Sequence, residues 1–224
     1  MSGWNAANIL KFYTSHREAP EDLYPSERTV LLPILAECES VLDVGCAAGG
    51  FSKIFTALKP GIRYVGLDAA DAMITQARRR YPSRAFQQGV ADSLPFPDRS
   101  FDLVFCTGVL IHNPAFEPII RECYRVAAKH CVVDLPRFAT SGIPSQAVMR
   151  LSERFPHDKP TEPNTVPYVL ADPHQVMTVL QSLRPAPRTF SLTGYPGQPG
   201  RSTYDASTQT PMGLVYFCVL QLGK

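Results

Sequence analysis

Between residues 40 and 136, short apolar runs alternate with longer stretches in which apolar positions recur every three or four residues. The runs SVLDVG (40–45), RYVGLD (63–68), FDLVFCTGV (101–109) and HCVVDLP (130–136) are too continuously apolar for strands with a wet face. They predict strands buried on both sides, with RAFQQGV (84–90) as a weaker third strand in chain order. FSKIFTALK (51–59), AADAMITQARRR (69–80) and AFEPIIRECYRVAA (115–128) carry the helical period. Ile119, Cys123 and Val126 of the last form a stripe at i, i+4 and i+7. Pro60-Gly61 closes the first helix, Asp71 is the expected N-cap of the second, and Pro82 lies just past its end. The basic run Arg78-Arg79-Arg80 suits the solvated C-terminus of that second helix, where cations meet the negative end of the dipole.

Strands and helices in that alternation predict an α/β fold: a doubly wound, Rossmann-like sheet of seven strands, mostly parallel, with helices on both faces. A ligand then binds outside the carboxyl ends of the strands. This singles out residues 43–50, 68–69, 90–92, 106–112 and 134–138. Past residue 136 the pattern changes, and twelve of the 21 prolines lie between 136 and 211. RFPHDKPTEPNTVP (154–167) reads as a loop or lid. DPHQVMTVLQSL (172–183) is the next helix, with Asp172 as N-cap and Pro173 at its first position. RTFSLTGY (188–195) and GLVYFCVLQL (213–222) predict an antiparallel strand pair joined by a long loop over 194–211, which makes the last strand antiparallel. The first 35 residues predict helices.

Composition narrows the picture without redirecting it. A chain of 224 residues suits one packed domain. A net charge of +2 excludes a broad electrostatic footprint for DNA or an anionic membrane surface, though it leaves RNA open. The six cysteines form no C-x-x-C and no metal-like spacing with the five histidines, so no metal is expected and a reducing, cytoplasmic setting fits. MSGWNAANIL lacks the basic start and apolar core of a secretory signal, and no window is apolar enough to span a membrane.

The chemistry concentrates in VLDVGCAAGG (41–50), where a strand runs into a turn of small residues. Such a turn lets a ligand approach backbone N–H groups and a helix N-terminus. A dinucleotide fingerprint wants three glycines, but Ala47 stands at the middle position and would obstruct a pyrophosphate. Asp43 would repel one, and would suit a ligand carrying an ammonium and a sulfonium.

VLDVGCAAGGFS resembles the first motif of class I S-adenosylmethionine-dependent methyltransferases. YVGLDAADAMITQAR resembles their second motif, and ADSLPFPDRSFDLVFCTGVLIHN resembles a block of the type 11 methyltransferase group. The resemblance covers residues 38–136 and implies S-adenosylmethionine as cofactor, with S-adenosylhomocysteine as product. It implies one domain over 1–224: an N-terminal helical lid (1–35), a cofactor-binding half (36–136), and a substrate lid with the C-terminal strand pair (137–224). Carried over residue by residue, Asp43 sits at the cofactor's amino end. Gly45, Cys46, Ala47 and Gly49 form the turn under its methionine and ribose. Asp68 takes the ribose hydroxyls, Ala69 and Met73 the adenine face, and Ala91 the adenine edge through its N–H. Carbonyls at Cys106 and Thr107 accept from the methionine ammonium. Val90 stands where the group carries an adenine-binding Asp, which leaves Asp92 as the acceptor for the adenine amino group.

The acceptor site is less legible. His112 ends VLIH just past a strand's carboxyl end, as a general base or as a structural hydrogen-bonding residue. Arg137 suits an acidic substrate group or a surface salt bridge, and Tyr13, His16, Tyr24 and Arg28 belong to the N-terminal lid. No (D/N/S)-P-P-(Y/F) tetrapeptide follows the fourth strand, which argues against amines of DNA bases, and no acidic triad suggests a metal-dependent enzyme. The expected acceptor is a small molecule methylated on oxygen, nitrogen or carbon, by a monomer or homodimer. Rival readings are an RNA or protein methyltransferase, a non-catalytic S-adenosylmethionine-binding module, and a nicotinamide-dependent reductase.

Overall fold

The computed structural model describes residues 7–14, 16–139, 147–154, 165–199, 202–205 and 214–224. Helices α1 (Ala7–Tyr13) and α2 (Pro25–Leu35) precede β1 (Ser40–Val44), α3 (Phe51–Leu58), β2 (Arg63–Asp68), α4 (Asp71–Arg80) and β3 (Ala85–Gln88). Then come β4 (Phe101–Cys106), α5 (Phe116–Val126), β5 (Ala127–Asp134), β6 (Phe138–Ala139), β7 (Ala147–Arg150), α6 (Leu151–Arg154) and β8 (Thr165–Pro167). The chain ends with α7 (Pro173–Ser182), β9 (Thr189–Gly197), β10 (Thr203–Asp205) and β11 (Val215–Gly223).

The main sheet has the order β3-β2-β1-β4-β5-β11, with β9 on the far side of β11 and the two-residue β6 also pairing β11. β1 to β5 are mutually parallel, and β11 runs antiparallel to β5 and to β9. Apart from the two-residue β6, seven strands form the predicted mostly parallel sheet, with the last strand reversed. β1, paired on both edges, is buried along its whole length. Side chains alternate between two helix-covered faces. Leu42, Val44, Val104 and Leu220 pack with Ile119, Ile120 and Cys123 of α5 and Val176 and Val179 of α7. Val41, Tyr64, Phe105 and Val219 pack with Leu31 of α2, Phe55 of α3 and Ile74 of α4. All six cysteines are buried and none forms a disulfide. No described helix is long and apolar enough to cross a membrane.

A third cluster lies over the carboxyl ends of the strands, where Ile9 of α1 meets Ala48, Met73, Ile111, Met149, Val166 and Tyr168. Several elements depart from the expectations. β4 stops at Cys106 because Gly108 adopts a positive φ of 74° and Leu110–His112 form a 3-10 turn. β5 starts at Ala127, paired with Phe101, and so takes residues assigned to the preceding helix. Asp71 is the first residue of α4, Ala70 holds the cap position, and no side chain caps it. Asp172 does cap α7, accepting from the His174 N–H at 2.8 Å. The loop expected between the last two long strands contains β10, which joins β7 and β8 in a separate three-stranded sheet. Most of the 154–167 stretch lies outside the described residues, and its end forms β8.

Candidate functional site

The turn after β1 is held against the end of β2. The N–H groups of Gly45 and Cys46 both donate to the Leu67 carbonyl, at 2.7 and 3.0 Å. Gly45 has a φ of 81°, and a Cβ there would overlap the Val109 side chain, so glycine is required twice over. Ala47 also adopts a positive φ, 46°, a conformation that costs an L-residue about 1–2 kcal/mol. Its N–H donates to Asp68 Oδ2 at 2.9 Å while the Ala70 N–H donates to Oδ1 at 2.8 Å. Burial raises the Asp68 carboxyl above its ordinary range, and the N–H groups of Ala70, Ala47 and Ala69 pull it back. A carboxylate has about four acceptor positions. Asp68 is therefore oriented by backbone and keeps acceptor capacity for hydroxyl groups.

Asp68 faces a cavity of about 940 Å³, at the large end of the range for small-molecule sites. Of the residues expected at a cofactor, Gly45, Cys46, Ala47, Asp68, Ala69, Met73, Val90, Ala91, Asp92 and Thr107 line it. The acid expected at the ribose, the small-residue turn and the segment expected against adenine thus line one cavity, an arrangement that fits a nucleoside cofactor.

Asp43, Gly49, Cys106 and Arg28 do not line it. Strand alternation turns Asp43 toward Tyr64, whose hydroxyl donates to Oδ2 at 2.5 Å in a fully buried contact. Burial lifts the Asp43 carboxyl from 3.8 to about 7, against the Tyr64 hydrogen bond, which lowers it. The repulsion of a pyrophosphate expected from Asp43 is correspondingly weak, and Ala47 carries that discrimination. Gly49 packs against the Phe86 ring, Cys106 is buried in the face under α5, and Arg28 donates to the Pro20 carbonyl at 2.8 Å. The basic run on α4 is not simply solvated. Arg78 donates to the Phe86 carbonyl, and Arg80 donates to the Ala48 carbonyl at 3.0 Å while pairing with Glu18.

The rest of the cavity wall is built from separate segments. Tyr13, His16, Tyr24, His112 and Arg137, all expected near an acceptor, line it, with Tyr13 in the field of Asp68 and the His16 carbonyl against Gly50. His112 Nδ1 lies 2.8 Å from the Pro167 carbonyl, an acceptor only, which assigns the ring proton to Nδ1. Desolvation lowers the imidazole from 6.5 to about 4, with Arg137 and Arg154 adding to the effect. Arg137 is buried rather than at the surface. Its guanidinium meets both Asp134 oxygens, at 2.7 and 3.3 Å, and stacks over the Phe217 ring at 4.4 Å. Main-chain bonds bind these segments together: Arg137 N to Val169 O, Val169 N to Ile111 O, and Tyr168 N to Ala147 O.

Arg17, Arg154 and Tyr168 also line the cavity and were not singled out from the sequence. Arg17 pairs with the buried Glu27 and sits between the Tyr24 and Phe51 rings, at 4.4 and 4.6 Å. Gly50 is the one sequence signal for it, since a Cβ there would lie 2.5 Å from the Arg17 carbonyl oxygen. Arg154 and Tyr168 border the proline-punctuated stretch, which carries no periodicity to orient them.

A methyltransferase-domain family model matches residues 42–133. A trans-aconitate 2-methyltransferase of Methylobacterium nodulans is 36% identical over 128 residues, covering 57% of this chain and 47% of that protein. A malonyl-[acyl-carrier protein] O-methyltransferase of Legionella pneumophila is 36% identical over 89 residues, 38% of this chain and 31% of that one. The chain spans about half or less of the length of these curated relatives. Among solved structures, a SAM-dependent methyltransferase of Archaeoglobus fulgidus matches with a TM-score of 0.59 at 16% identity, over 98% of this chain and 100% of that one. The N-terminal domain of EvdMO1, crystallised with SAH and D-fucose, matches with a TM-score of 0.60 at 14% identity, over 94% and 84%. These two likenesses show the fold.

Proposed function

We propose, from the match of residues 42–133 to a methyltransferase-domain family model, that the protein transfers a methyl group from S-adenosylmethionine to a small-molecule acceptor. The observation that carries this reading is the single cavity that joins the Asp68 wall to a second, side-chain-lined space. Asp68 takes the ribose hydroxyls, Ala69 and Met73 flank the adenine, and Ala91 and Asp92 meet its edge. Gly45, Cys46, Ala47 and Thr107 surround the methionine portion. Arg17, beside the turn, adds a cation suited to the methionine carboxylate. His112, Tyr13, His16, Tyr24 and Arg137 face the acceptor.

When bound, the cofactor supplies an electrophilic methyl on a sulfonium. The chain aligns an acceptor with that methyl and keeps water away, and alignment of this kind contributes up to roughly 7–11 kcal/mol. The third apolar cluster, with α1 and the β7–β8–β10 sheet laid over the strand ends, is the part that excludes water. Relatives named for trans-aconitate and malonyl-[acyl-carrier protein] support a small or carrier-bound acceptor.

Calorimetry with S-adenosylhomocysteine tests the donor half, with binding expected and abolished binding fatal to the proposal. Labelled methyl transfer into metabolite and RNA fractions tests the acceptor half, with label expected in the metabolites. Label confined to RNA would assign the macromolecular reading instead, and fluorescence enhancement of a nicotinamide would revive the reductase.

A further inference from the structure

We infer that two copies of the chain pair through the outer edge of β9, in an antiparallel two-fold contact centred on Ser191. The pairing is a property of the sheet and is independent of the methyl-donor reading.

β9 is the last strand of the main sheet. It bonds to β11 on one side, and among the described residues no strand pairs its other side. Such an edge offers a row of N–H and C=O groups to any extended segment, and native proteins commonly blunt it with charges, prolines or brevity. β9 uses none of these. It is nine residues long, and neither a charge nor a proline interrupts residues 189–195. Its apolar side chains are also uncovered. Phe190 and Leu192 pair with Leu222 and Leu220 of β11 and share their side of the sheet. Those two leucines of β11 are buried, yet Phe190 is 63% exposed and Leu192 52%, more than any other large apolar residue described.

The sequence of the edge points to a second copy as its partner. Thr189-Phe190-Ser191-Leu192-Thr193 reads alike in both directions, with apolar residues on either side of a central hydroxyl and hydroxyls beyond them. A two-fold contact must be self-complementary, so that residue i meets j and j meets i. Antiparallel pairing about Ser191 meets that condition at every position. Phe190 of each copy meets Leu192 of the other on one side of the joined sheet. On the opposite side Thr189 of each copy meets Thr193 of the other, and the two Ser191 hydroxyls face each other. Cross-strand pairs of this kind are the unit of antiparallel sheet stability.

Charge and size select the same axis. Arg188, the charged residue nearest this segment, falls opposite Gly194. The two Arg188 positions lie six residues apart along the seam, about 20 Å, so no like charges meet. An axis at Leu192 would set Phe190 against Gly194, and an axis at Phe190 would set Arg188 against Leu192. Pairing about Ser191 uses the open β9 edge of both copies, so association closes at two. None of residues 189–197 lines the cavity, and the seam lies outside it.

The test is sedimentation equilibrium of the full chain at micromolar concentrations, joined to thiol cross-linking. The parent should dimerise. Leu192→Lys sets a charge against Phe190 of the second copy and should raise the dimer dissociation constant at least tenfold, as should Phe190→Lys. Phe190→Lys combined with Leu192→Glu should recover the dimer, because opposite charges then face each other across the seam. All six native cysteines are buried, so Ser191→Cys adds an exposed thiol against a silent background. A short bismaleimide should join two copies of Ser191→Cys and leave Arg188→Cys uncoupled. The substituted side chains are exposed, and thermal unfolding equal to that of the parent shows that each variant is folded. A parent that stays monomeric, a dimer that Leu192→Lys leaves intact, or cross-linking as efficient from Arg188→Cys as from Ser191→Cys overturns the pairing.

Discussion

The part of the cavity proposed for the cofactor is mostly backbone, and the part proposed for the acceptor is mostly side chain. At the first, a turn with three positive-φ residues, Gly45, Ala47 and Gly49, is bonded to the Leu67 carbonyl and to the Asp68 carboxylate. At the second, His112, Arg137, Arg154 and Tyr168 converge from four separate segments. A wall of backbone is specified by a contiguous motif, because one chain reversal places all of its N–H groups together. A wall of side chains is specified only once distant segments have packed. The two ends should therefore respond differently to substitution.

The largest effect belongs to the turn. Gly45→Val places a branched side chain at a φ of 81° and against Val109, for a combined strain and overpacking cost of about 3 kcal/mol or more. Thermal unfolding should fall accordingly, and S-adenosylhomocysteine binding should be lost in whatever protein remains folded. Retained binding would mean that the turn is not the cofactor wall.

Next is a pH effect at the buried residue beneath that turn. Asp43 has its folded-state carboxyl raised to about 7 from 3.8, so the folded state holds a proton that the unfolded chain has released. The stability it contributes is present below pH 4 and lost as pH rises through 7. Between pH 5 and pH 8 that loss is about 2–3 kcal/mol. Asp43→Asn keeps an acceptor for the Tyr64 hydroxyl and removes the titration. The variant should gain on the parent as pH rises, in paired denaturant titrations, and equal slopes in the two proteins would refute the assignment.

This residue also marks the boundary of what the sequence disclosed. The strands, the helices, and the cavity-lining role of Gly45, Asp68 and Val90–Asp92 were legible because apolar period and motif register are local properties. The orientation of Asp43 was not, because one strand register decides whether a carboxylate meets a ligand or Tyr64. By local pattern Arg137 suits the surface and an acidic ligand equally, since nothing local reports the Phe217 ring and the Tyr168 side chain that bury it. Arg17 and Arg154 are not legible because no local period or motif reports the distant rings they sit over, Phe51 and Phe12.

Asp68→Ala removes the acceptor for the N–H groups of Ala47, Ala69 and Ala70 and, on the proposed function, for the ribose. Affinity for S-adenosylhomocysteine should fall at least tenfold, about 1.4 kcal/mol. Asp68→Asn should lose less, because one oxygen still accepts. Unchanged calorimetric affinity in the alanine variant would show that the register assigned to the second motif is wrong.

The smallest effect is the sharpest test of the contrast between the two ends. His112 bonds the Pro167 carbonyl and so ties the turn after β4 to β8. His112→Ala removes that bond, and a typical net hydrogen bond contributes about 0.5–1.5 kcal/mol, a modest drop in thermal stability. None of the wall expected under the cofactor depends on it, because Asp68 is oriented by the N–H groups of Ala47, Ala69 and Ala70. Affinity for S-adenosylhomocysteine should accordingly stay within about twofold, or about 0.4 kcal/mol. A larger fall, tracking the loss of stability, would mean that the segments at the acceptor end help to hold the backbone turn in place. The cavity would then be one cooperative unit, with the contiguous motif insufficient to form its own half.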